Sequence, residues 1–129
     1  MDWIDGKAIY IQIMEHIISE IAAGKLRPGQ KIPSVREYAA ELSVNPNTVQ
    51  RALRELEREG ILISHRNTGR FVTDNRKNIE KMREEQAGEA VREFCSRMLE
   101  LGYSFEDAQR LFKDKAEKEF GEKRYADIG

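Results

Sequence analysis

Asn45-Pro46-Asn47-Thr48-Val49-Gln50-Arg51 crowds hydrogen-bonding side chains into two helical turns. Asn and Gln can each pair bidentately with adenine, and Arg with guanine, so Asn47, Thr48, Gln50 and Arg51 have the chemistry to read base edges in a major groove about 12 Å wide. Asn45 opens the run as a helix N-cap, and Pro46 occupies the first helical position, where its missing N–H costs nothing. Upstream, Ser34 and Arg36 stand at the start of another helix, whose free N–H groups and positive end favour a phosphate. Downstream, Arg66 and Arg70 flank Gly69, where arginine suits a narrow minor groove and glycine allows close backbone approach.

No competing chemistry is assembled. Catalysis would need a nucleophile beside a base or a pair of acids in a cleft, and the carboxylates here are spread as a solvated helix surface would spread them. The chain therefore reads as a non-enzyme. His16 and His65 are too isolated to nominate a metal site, and Cys95 is the single cysteine, with no partner for a disulfide or a ligand pair. A small packed residue is the expected role for Cys95, no cofactor is implied, and a reducing compartment fits.

The elements that must position these residues follow from periodicity and caps. Apolar residues at Ile9, Ile13, Ile17 and Ile21 predict a first helix over residues 8–23, stopped by Gly24. Ser34 and Glu37 have capping-box spacing and predict a short second helix with Val35, Tyr38, Ala39 and Leu42 inward. Ser43-Val44-Asn45 is then the turn into a third helix that buries Val49, Ala52, Leu53 and Leu56 and ends near Gly60. Residues 61–64 and 70–73 read as two strands of a hairpin with its tip at residues 65–69. Arg54 and Arg58, spaced to pair with nearby acids, read as solvated surface.

Beyond Asp74 a stripe of Ile79, Met82, Ala90, Phe94, Met98 and Leu101 predicts a helix about 40 Å long, ended by Gly102. Ser104 caps a last helix that carries Phe105, Ala108, Leu111, Phe112, Ala116 and Phe120 on one side and frays after Gly121. Two helices bury little against each other, so Ile79, Met82, Ala90, Phe94, Met98, Leu101, Phe105, Leu111 and Phe112 are expected at a dimer interface.

The net charge of −1 would by itself argue against nucleic acid, but residues 25–72 hold nine Lys and Arg against five acids. The positive charge is thus concentrated where the base-reading residues lie. No apolar run approaches the roughly 20 residues of a membrane span, and no signal-like leader opens the chain, which implies a cytoplasmic protein without a membrane partner.

Gly24-Lys25-Leu26-Arg27-Pro28-Gly29-Gln30-Lys31-Ile32-Pro33-Ser34-Val35-Arg36-Glu37, followed by Asn45-Pro46-Asn47-Thr48-Val49-Gln50-Arg51-Ala52-Leu53, resembles the GntR family of bacterial regulators. The likeness extends through Leu56-Glu57-Arg58-Glu59-Gly60-Ile61-Leu62 and Thr68-Gly69-Arg70-Phe71-Val72, and the short two-helix tail is similar to the YtrA-like branch. The resemblance implies DNA contact by Arg36, Asn47, Thr48, Gln50 and Arg51 and around Gly69, and a homodimer on a palindromic operator, with repression the expected outcome.

The expected fold is mainly α with a small β-hairpin. It comprises a winged helix-turn-helix domain over residues 1–73 and a two-helix dimerisation region over residues 74–129. Ser34, Arg36, Asn45, Asn47, Thr48, Gln50, Arg51, Arg66, Gly69 and Arg70 form the expected surface for double-stranded DNA. A winged-helix module for protein contacts or non-specific nucleic-acid binding is the alternative, which the basic third helix disfavours. An effector of unknown identity would have its pocket around Tyr103, Phe105, Phe112 and Phe120.

Overall fold

The computed structural model describes residues 1–128, with side chains through Glu122. It divides into two compact units, Met1–Glu85 and Gln86–Gly129.

The first unit opens with α1 (Ile9–Ala22), whose 3.6-residue repeat buries Ile13, Ile17, Ile18 and Ile21. The same helix buries Gln12, whose side chain accepts from Ile4 N at 2.8 Å and donates to the carbonyls of Ile4 and Lys7 at 2.9 Å. Satisfied in this way, a buried amide costs little and ties the N-terminal segment to the helix. Helix α2 (Val35–Leu42) begins with the expected capping box: Ser34 Oγ accepts from Glu37 N at 3.1 Å, and Glu37 Oε1 accepts from Ser34 N at 3.2 Å. It closes at Ser43 in the left-handed conformation, and Val44 and Asn45 complete the turn. Helix α3 (Pro46–Arg58) starts where Asn45 Oδ1 accepts from Asn47 N at 2.8 Å.

Strands β1 (Leu62–His65) and β2 (Gly69–Val72) pair antiparallel, Leu62 with Val72 and His65 with Gly69. The hairpin turn is the three residues 66–68, with Asn67 at φ 66°, and so is shorter than the five-residue tip the sequence suggested. Residues 30–32, read as loop from sequence, lie along the other edge of β2. Ile32 N donates to Arg70 O at 3.0 Å and Val72 N to Gln30 O at 2.9 Å. Helix α3 packs on α1, α2 and β1, around a core in which Ile13, Ile17, Tyr38, Val49, Leu53, Leu56, Leu62 and Val72 are the largest fully buried side chains.

Helix α4 (Arg76–Glu100) is capped by Asn75, whose Oδ1 accepts from Lys77 N at 3.0 Å. Its first turns belong to the first unit. Asn78 Nδ2 donates to Gly60 O at 3.3 Å, and Ile79 and Met82 are 8% and 5% exposed in the core just described. These two residues, expected at a dimer interface, are therefore core residues of the single chain and retain almost no surface for a second copy. For the same reason the first unit runs to Glu85, past the Thr73–Asp74 boundary expected from the hairpin's end.

In the second unit the rest of α4 is followed by Gly102 at φ 82° and by α5 (Phe105–Ile128), where Ser104 Oγ accepts from Asp107 N at 3.1 Å. Helix α5 continues past Gly121, where the sequence suggested fraying, to Ile128. Phe94 and Phe112 meet edge to face with centroids 5.8 Å apart. No described side chain of this unit is fully buried: Phe94, Met98 and Leu111 are half-buried, and Ala90, Leu101, Phe105 and Phe112 are exposed. Cys95, expected to be packed, is exposed as well.

Candidate nucleic-acid interface

The buried face of α3 sets the direction of its polar one. With Val49, Ala52, Leu53 and Leu56 inward and each residue turned by about 100°, Asn47, Arg51, Arg54 and Arg58 form the outermost row. Gln50 lies beside that row, half-buried, and the cleft along the helix is lined by Asn47, Gln50, Arg51, Arg54, Glu55 and Arg58. Thr48 is half-buried, and Asn45 is exposed with its side-chain oxygen occupied by the cap. Arg51 is exposed, with its guanidinium carbon 3.8 Å from the centroid of the Tyr10 ring on α1.

Arg54, read from the sequence as solvated surface, lines the same cleft. It stands one turn beyond Gln50 and Arg51 and two beyond Asn47, is exposed, and makes no ion pair among the described residues. Its spacing from Asn47 and Arg51 was the available signal, outweighed by the acids nearby in sequence. Arg58 does follow the solvated-pair reading, 3.3 Å from Glu55.

At the start of α2 the Ser34 hydroxyl is committed to its capping box, while Arg36 is exposed and without an ion-pair partner among the described residues. The adjoining cleft joins this helix start to the wing through Lys31, Ser34, Thr68 and Gly69. Lys31 is a residue that the sequence did not single out. Gly69 has φ 117°, a backbone conformation that favours glycine, and the flexible end of Lys31 passes over it, with Cε 2.9 Å from where a Cβ would lie.

On the wing, Arg66 is exposed at the turn. Arg70 is not turned out beside it. Its Nε donates to Glu57 Oε1 on α3, and the Ser64 hydroxyl donates to the same oxygen at 2.7 Å. Burial works to raise the Glu57 carboxyl, but the hydrogen bonds from Arg70 and Ser64 and the neighbouring Arg54 outweigh it and hold the group below its ordinary value. In this structure Arg70, expected at the minor groove, braces the wing against α3, its guanidinium turned to Glu57.

Among the described residues no group of three or more His, Cys, Asp and Glu is placed to hold a metal ion, and no helix is long and apolar enough to cross a membrane.

Residues 9–72 match the family described as "Bacterial regulatory proteins, gntR family". The chain is similar to the HTH-type transcriptional regulator YhcF of Bacillus subtilis (strain 168), 38% identical over 102 residues that cover 79% of this chain and 84% of the relative. It is also similar to the HTH-type transcriptional repressor YtrA of the same organism, 45% identical over 69 residues, 54% of this chain and 53% of the relative. Among solved structures, a GntR family transcriptional regulator from Listeria monocytogenes superposes with a TM-score of 0.79 at 38% identity, over 87% of this chain and 98% of that one. The winged helix-turn-helix, the outward row of α3 and these likenesses agree, and the chain belongs to the GntR family of DNA-binding transcription regulators, with YtrA among its relatives.

Proposed function

We propose that the protein is a cytoplasmic repressor that binds an inverted-repeat operator as a homodimer. The observation that carries the reading is the outward row of Asn47, Arg51 and Arg54 on α3, flanked by the exposed Arg36 at the start of α2 and Arg66 on the wing. The row supplies donors and acceptors for base edges, while the flanking cations and the N-terminus of α2 suit phosphates. Lys31 joins them at the wing. In a symmetric dimer the two α3 helices would enter major grooves about 34–36 Å apart, or a multiple of that. Occupancy of a promoter blocks transcription, in keeping with the repressor YtrA among the relatives.

The second unit supports the dimer. Two helices that bury no described side chain completely, and that leave Leu99 and Phe105 73% and 74% exposed, do not make a core by themselves. Ala90, Phe94, Met98, Leu101, Phe105, Leu111 and Phe112 are the surface that a second copy would cover, with the first unit left as the DNA reader. Anything that shifts that contact would change the distance between the two readers, which is a route for an effector.

A mobility shift at fixed salt, using the DNA upstream of its own gene with excess unrelated duplex, tests the reading. Retarded complexes that survive the competitor and have two protein chains per duplex are expected. Complete loss to the competitor, or no complex even at low salt, would overturn it at that DNA and favour an interaction module.

A further inference from the structure

The arginines around the reading surface differ in what holds them. Arg58 and Arg70 spend N–H donors on Glu55 and Glu57. Arg36 and Arg54 make no ion pair among the described residues. Arg51 alone is held by a ring, its guanidinium carbon 3.8 Å from the Tyr10 centroid, and no partner among the described residues takes its N–H groups. A guanidinium stacks through its flat face and donates hydrogen bonds through its edge, so the two uses do not compete. A carboxylate partner would consume the same edge that a guanine requires.

We propose that Tyr10 is a positioning residue for Arg51: the α1 ring presets the arginine so that its donor edge is free to pair with a guanine in the major groove. This rests on the base-reading role of α3 given above. The ring removes rotamer freedom that the long side chain would otherwise lose on binding, and it does so from a helix that supplies none of the expected DNA contacts. It also makes the arginine at this position selective, since a lysine ammonium has no planar face to stack and no bidentate fork to present.

The test uses the full chain and a duplex selected from a randomised pool by the wild-type protein. Repeating the selection with Arg51→Ala identifies the base pair whose preference is lost, and a second duplex is made with that pair changed. On the selected duplex Tyr10→Leu is expected to weaken binding about 2- to 10-fold, while Tyr10→Phe, which retains the ring, stays within about twofold of wild type. Neither in the Arg51→Ala background nor on the changed duplex should Tyr10→Leu have any further effect. Equal weakening by Tyr10→Leu on both duplexes, or in both backgrounds, would assign Tyr10 a merely structural role and overturn the proposal. So would a Tyr10→Leu protein that binds like wild type while Arg51→Ala is weakened. If Arg51→Ala itself keeps full affinity and preference, the base-reading assignment fails first and the proposal falls with it. Thermal melting checks that each variant is folded, with Tyr10→Met as the substitute if the leucine variant is not.

Discussion

Arg70 on β2 and Glu57 on α3 form an ion pair that fastens the β1–β2 hairpin, the wing, to α3, with the Ser64 hydroxyl donating to the same carboxylate oxygen at 2.7 Å. The pair is partly buried, its side chains 18% and 28% exposed, so water screens it less than the surface pairs along α4 and α5. The pair thus joins the wing to α3 directly.

The Glu57 carboxyl is held below its ordinary value of 4.5 in the folded chain, so the pair stabilises the fold fully above that value and loses its effect as pH falls through the lowered one. Glu57→Gln should cost about 1–2 kcal/mol near pH 7. Urea unfolding of the two proteins should show the gap closing below the ordinary carboxylate range. A gap that widens in acid would contradict the ion pair.

Ile79 and Met82 tie the start of α4 into the first unit. Met82→Ala should destabilise that unit by about 2–4 kcal/mol. A fragment ending at Glu85 should melt cooperatively, and one ending at Thr73, which lacks both side chains, should melt at a distinctly lower temperature. Equal melting of the two fragments would show that α4 adds nothing to the core.

Arg54→Ala should weaken DNA binding and reduce the slope of log affinity against log salt by about one if the arginine meets a phosphate. If it reads a base instead, the slope holds and preference at one base pair relaxes. A variant unchanged in both respects would return Arg54 to the solvated surface.

Phe112 packs edge to face on Phe94 yet is 53% exposed. Phe112→Asp should shift the protein from dimer to monomer in sedimentation and weaken binding to a two-half-site duplex much more than to a single half-site. A dimer that persists undiminished would move the interface elsewhere.

Local chemistry determined much of this protein before any coordinates. The capping box at Ser34, the Asn45 cap ahead of Pro46, the Gly24 and Gly102 stops and the isoleucine period of α1 are encoded within a few residues of where they act, so helix limits and buried faces were legible from the chain alone. The outward placement of Asn47 and Arg51 followed from the same period. What a side chain meets across the fold has no such local signature. Arg70 reads as a basic wing residue until the hairpin register brings it to Glu57, and Arg51 as a free cation until α1 places Tyr10 beneath it. Ile79 and Met82 continue the apolar stripe of α4 without a break, and only the docking of its first turns beside Gly60 divides the stripe into a buried part and an uncovered one. Periodicity states which face of an element is apolar; the packing of elements distant in sequence decides what covers it.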